Sequence, residues 1–106
     1  MNAQRYTYVV PWAEQPTEQA IQEAPKAWLK HWYIAGDKSY TPRTLGQLLR
    51  TPFGLFVRMV CFEKTPMAIQ CLPNSPVCTD SCMEFFLNPM PEQNSFLNFE
   101  VNAKGT

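Results

Sequence analysis

No charge of one sign dominates this chain: nine basic side chains are matched by nine acidic ones, and no basic stripe runs along any segment. That excludes the electrostatic footprint by which proteins hold nucleic acid or anionic membrane surfaces. Long hydrophobic runs are missing as well. The longest spans residues 53–62 and is broken by Arg58, far short of the roughly 20 apolar residues a helix needs to cross a bilayer, so no membrane insertion is expected. The first ten residues carry Arg5, Tyr6 and Tyr8 and lack the apolar core and small-residue site of a secretory leader. The expectation is a cytoplasmic protein, or one whose leader lies outside this chain. Internal repeats and low-complexity segments are absent.

The usual signs of catalysis are absent too. Histidine occurs once, as His31. A histidine general base needs a nucleophile beside it and an orienting carboxylate. The sequence has neither a Gly-x-Ser-x-Gly elbow nor a Cys–His signature, so the protein is not expected to be an enzyme. Cys61, Cys71, Cys78 and Cys82 lack the close pairs of a zinc finger or ribbon. In an extended chain Cys78 and Cys82 would lie roughly 13 Å apart, beyond disulfide reach. The four read as buried thiols serving as small hydrophobes.

What is present suits a β protein. With 106 residues, 45% of them hydrophobic and 13% aromatic, the chain can bury a core and is expected to form one domain over residues 1–106. Ten prolines fall between the candidate strands, where they punctuate a loop-rich β protein and disfavour a helical bundle. Residues 5–10 alternate as a strand ended by Pro11. Residues 17–24 predict a short helix, with Thr17 as its N-cap and Pro25 as its stop. Residues 27–35 read as extended and aromatic, with Trp28 and Trp32 in the core. Trp12, beside Pro11 and the polar Glu14 and Gln15, is expected to be exposed.

Further along, Thr41-Pro42 opens a predicted short helix through Leu45, Leu48 and Leu49. Residues 52–63 form the strongest predicted strand, apolar on both faces except at Arg58. Pro73-Asn74-Ser75-Pro76 is a predicted turn. Residues 80–88 and 95–103 are two further strands, predicted to pair antiparallel across the connection at 89–94. Short strands between turn residues imply an all-β, antiparallel β-sandwich.

Alternation along the strand at residues 80–88 puts Asp80, Cys82, Glu84 and Phe86 on one face, and Ser81, Met83, Phe85 and Leu87 on the other. Carboxylates accept paired hydroxyl hydrogen bonds, and an aromatic face stacks on the apolar side of a sugar ring. A glycosidase pair is disfavoured: Cα atoms four residues apart on a strand are separated by roughly 13 Å, too far for carboxyls that must come within roughly 5–10 Å.

The run Val77-Cys78-Thr79-Asp80-Ser81-Cys82-Met83-Glu84-Phe85-Phe86-Leu87, followed by Asn98-Phe99-Glu100-Val101-Asn102-Ala103-Lys104-Gly105-Thr106, resembles the central hairpin of the family 9 carbohydrate-binding modules. The likeness covers residues 52–106 and is densest over the two quoted runs. It implies a jelly-roll-like sandwich that binds carbohydrate without catalysis. It also implies that this chain holds the amino-terminal part of a longer domain, incomplete at the C-terminal side. Glu84 matches the family position that hydrogen-bonds ligand hydroxyls, and Asp80 and Asn102 are the further ligand-binding candidates. Where the family places one tryptophan of its aromatic clamp, this chain has Cys78. Calcium is a family feature, and the oxygen-rich loop at 88–94, or Asp37 with its neighbours, would be its donors; no Asp-x-Asp-x-Asp-Gly loop is present. The alternatives are a haem-binding or redox relative using His31 and the five methionines, or a protein-interaction module with no small ligand.

Overall fold

The computed structural model describes residues 6–30 and 41–106. They form one short helix, α1 (Glu18–Glu23), and five strands: β1 (Ala27–Trp28), β2 (Thr44–Thr51), β3 (Gly54–Cys61), β4 (Cys82–Leu87) and β5 (Leu97–Asn102). All strand pairs are antiparallel, so the all-β class holds at the level of local architecture. The chain divides into two compact units at Glu63/Lys64.

In the first unit the strand order is β1-β2-β3. The expected helix at residues 17–24 is α1: the Thr17 hydroxyl caps it by accepting from the Ala20 N–H at 3.1 Å, and Pro25 follows its end. The helix expected from Thr41-Pro42 through Leu49 is instead β2. Leu45, Leu48 and Leu49 fit a helical stripe, but the burial alternates, with Leu45, Gln47, Leu49 and Thr51 all buried. The polar Gln47 hides that period of two in the sequence. β2 turns back into β3 through Thr51-Pro52-Phe53-Gly54. Pro52 presets the second position of the turn, and Gly54 takes φ +132°, a conformation a side chain would oppose.

The buried face of β2 packs under α1. Gln47, with no exposed surface, donates from its amide to the carbonyls of Gln22 at 3.0 Å and Ala24 at 2.9 Å. Its oxygen accepts from the Arg58 guanidinium at 2.7 Å. One side chain thus terminates α1 and neutralises the polarity of the only charged residue on β3. The edge of β2 away from β3 is covered along its length. β1 pairs with Leu45 and Gly46, the Tyr8 hydroxyl accepts from the Leu48 N–H at 3.0 Å and donates to the Pro25 carbonyl at 2.6 Å, and Arg50 exchanges hydrogen bonds with Pro11 and Ala13. Residues 6–10 are therefore no strand; a phenol stands where a strand's main chain would be. Trp28 is half-buried and stacks on Phe62, with the Arg43 guanidinium 4.6 Å above the indole, while Trp12 is exposed under Arg50.

The second unit holds the two-stranded sheet β4–β5. The predicted hairpin forms as expected, and the turn at Pro73-Asn74-Ser75-Pro76 forms with Asn74 at positive φ. Residues 67–72 form no strand. They are tied to Asp80 and Ser81 through the N–H groups of Met67, Ile69 and Gln70. One face of β4–β5 is wholly apolar, with Met83, Phe85 and Leu87 opposite Val101, Phe99 and Leu97.

Candidate functional site

The other face of β4–β5 carries the polar residues. Register sets Cys82 opposite Asn102, Glu84 opposite Glu100 and Phe86 opposite Asn98. The main-chain groups of Asn102 point away from β4, to Thr106 and Gly105. These three pairs are therefore the non-hydrogen-bonded ones, in which facing side chains come closest. Glu84 and Glu100 are both exposed and share a side-chain hydrogen bond. That bond, followed by partial burial and the repulsion of Glu100, raises the Glu84 pKa above the ordinary glutamate value. Asn98 donates its amide N–H to Glu100 at 2.9 Å. Phe86, exposed, meets Phe96 edge-on with centroids 5.6 Å apart. Two carboxylates, an amide and an aromatic pair thus lie side by side on an open sheet face.

Asp80 and Asn102 are placed elsewhere, and in a different role. Residues Val77–Thr79 form a 3-10 turn rather than the start of a strand, and the Asp80 N–H closes it on Val77. Asp80 is thereby off β4 and does not share the face of Glu84. Its carboxylate accepts from the N–H groups of Ile69 at 3.0 Å and Gln70 at 2.8 Å and from the Asn102 amide at 3.1 Å. The Gln70 N–H is the strongest of the influences that lower its pKa, with burial opposing and Ile69, Asn102 and Lys104 assisting. Asn102, buried, also donates to the Gln70 carbonyl at 2.8 Å, while its oxygen accepts from the N–H groups of Lys104 and Thr106, both at 3.0 Å. All hydrogen-bonding capacity of Asn102 is spent inside the protein. The pair ties the segment at 67–70 and the chain after β5 to the hairpin.

Of the three expected ligand-binding residues, the structure keeps Glu84 on the open face and draws Asp80 and Asn102 together in a knot beside it. Glu100 was missed as a site residue. Its signal was present: alternation through Asn98-Phe99-Glu100-Val101-Asn102 puts Glu100 on the polar face, and only the register with β4 was needed to set it against Glu84. Cys82, on the same face, has its thiol pKa raised, first by burial and then by the negative charges of Glu84 and Glu100. Cys78 is exposed and all four cysteines are free, Cys61 and Cys82 only partly buried.

Of the loops expected to supply calcium donors, Asp37 lies outside the described residues, as do His31 and Trp32. In the loop at 88–94 the Asn88 side chain bonds the Gln93 carbonyl and the Met90 N–H, so it closes the loop on itself. Among the described residues no three His, Cys, Asp or Glu side chains converge on a common point, against the six to eight oxygens calcium takes. No helix among them is long and apolar enough to cross a membrane. Compared with protein-family models, with curated proteins and with solved structures, the chain finds no match.

Proposed function

We propose that the polar face of β4–β5 is a non-catalytic carbohydrate-binding surface. The observation that carries the reading is the Glu84–Glu100 pair, set opposite one another and exposed, with Phe86 and Asn98 as the next cross-strand pair. Sugar hydroxyls come in vicinal pairs, and two adjacent carboxyl groups offer acceptors, and a donor when one is protonated, at matching spacing. Phe86 supplies an apolar surface for the ring's C–H face. The Asn98 amide takes one oxygen of Glu100, which leaves the remaining carboxyl oxygens of the pair to accept from hydroxyl donors. The likeness of the hairpin sequence to the family 9 modules supports the same reading, and Glu100 strengthens it by adding a second acceptor. An antiparallel, jelly-roll-like sandwich is the architecture that goes with it, and a sheet with one wholly apolar face, as in β4–β5, is the half-layer from which such sandwiches are built.

The test is an NMR titration of the protein with a panel of mono- and oligosaccharides, with Glu84→Gln and Glu100→Gln in parallel. Saturable shifts at Glu84, Phe86, Asn98 and Glu100, weakened in either variant, are the expected result. Shifts that appear elsewhere, or none with any sugar from a folded protein, would refute the proposal.

A further inference from the structure

We propose that the cleft between residues 6–9 and 25–30 is a binding site for an amphipathic anion, a small molecule with an apolar chain and one negatively charged head. The cleft has a volume of about 740 Å³, within the roughly 300–1,000 Å³ of small-molecule sites. It lies wholly inside the first unit. Tyr8 and Val9 line one wall and Trp28 and Leu29 the other, with Lys26 and Lys30 on the same side as Trp28.

Both walls are held in place by hydrogen bonds. Tyr8 donates to the Pro25 carbonyl at 2.6 Å and accepts from the Leu48 N–H at 3.0 Å, so one phenol ties the first wall to the second and to β2. Ala27 and Trp28 pair with β2, and the Leu29 N–H continues that pairing to the Thr44 carbonyl at 2.9 Å. A ligand therefore meets a preformed site and has little ordering to offset on binding. Val9 is 77% exposed and Leu29 54%. Apolar side chains gathered along a concave surface in this way mark a binding groove.

Charge decides the occupant. Lys26 and Lys30 are the only charged residues along the cleft, and no carboxylate lines it. Both are exposed, and among the described residues neither ammonium has a hydrogen-bond or ion-pair partner. Alternation from β1 sets Lys26, Trp28 and Lys30 on one side of the chain. Lysine stems lie along apolar surface while their ammonium groups stay in water, which leaves two unpaired positive charges beside an apolar wall. The Tyr8 hydroxyl is already committed to Pro25 and Leu48, so the lysines are left to recognise the polar head. A cation would be repelled, and a neutral chain would leave both ammonium groups without a partner.

The experiment is an NMR titration of the full chain with octanoate, with octanol and octylammonium as its uncharged and cationic twins. Saturable shifts at Val9, Trp28 and Leu29 with octanoate are expected, weaker with octanol and absent with octylammonium, and the octanoate affinity should fall as salt is added. Lys26→Gln and Lys30→Gln should each weaken octanoate by roughly two- to fivefold, the range of an exposed ion pair, and leave octanol unchanged. Leu29→Asp, a change at an exposed position, sets a carboxylate against the ligand and should abolish octanoate binding with the amide spectrum otherwise preserved. Equal affinity for the three probes overturns the proposal, since it describes an apolar patch with no preference for charge. So do an octanoate Kd weaker than about 10 mM, shifts confined to other residues, or shifts at the cleft on simple dilution of the free protein, which would show a second copy covering it.

Discussion

Gln47 offers the sharpest test of how the first unit is held together. Gln47→Met keeps length and apolar volume but removes both ends of the network. The Ala24 carbonyl, in a buried residue, loses its donor at a cost of about 1–3 kcal/mol. The Arg58 guanidinium loses a charge-assisted bond of 2.7 Å, worth about 1.5–3 kcal/mol. Arg58 is only partly buried and the Gln22 residue is exposed, so water recovers part of both losses. The net expectation is a destabilisation of about 3–4 kcal/mol, a large share of the roughly 5–15 kcal/mol typical of a domain. Urea unfolding followed by tryptophan fluorescence, with Trp12 and Trp28 reporting on this unit, measures it. At an m-value near 1 kcal/mol/M the midpoint falls by roughly 3 M, far enough to unfold a marginal domain in buffer. Adding Arg58→Met should recover part of the loss, since the guanidinium is then no longer stranded, with a coupling of about 1–3 kcal/mol. A Gln47→Met protein within about 1 kcal/mol of wild type, or strictly additive losses in the double variant, would refute the reasoning.

Tyr8→Phe removes the bridge between the Leu48 N–H and the Pro25 carbonyl and should cost about 1–2 kcal/mol in the same urea assay. Asn102→Ala strands the Gln70 carbonyl and the N–H groups of Lys104 and Thr106; a loss of about 2–4 kcal/mol and faster amide exchange at Lys104 and Thr106 are expected. Because the Asp80 pKa is lowered on folding, its stabilisation is present above the ordinary aspartate value of 3.8 and is lost as pH falls from there through the native value. Acid titration by circular dichroism should show that loss in wild type and not in Asp80→Asn. The raised Glu84 pKa has the opposite sign: its contribution favours the fold at low pH and fades as pH rises through the native value. Glu84→Gln should accordingly leave thermal stability at pH 7 equal or higher while weakening sugar binding, and a lower Tm would contradict the like-charge account.

Several elements were legible in the sequence because their determinants are local. Thr17 and Pro25 bracket α1 through capping and ring closure within a few residues. Strict alternation, with apolar residues filling one side, marks β4 and β5, and the apolar run at 52–63 marks β3. Glu84 could be put on a polar face by alternation alone. Other features depend on partners distant in the chain. Leu45, Leu48 and Leu49 satisfy a helical and an extended pattern equally. Pairing with β3 on one edge, and with β1, Tyr8 and residues 11–13 on the other, decides for the strand. Asp80 leaves the face of Glu84 because a 3-10 turn closes at Val77–Thr79 and because the N–H groups of Ile69 and Gln70 capture its carboxylate. The contact of Glu84 with Glu100 exists only in one register of β4 on β5, and register is a tertiary property: a slip of one residue would turn every side chain of the strand to the opposite face.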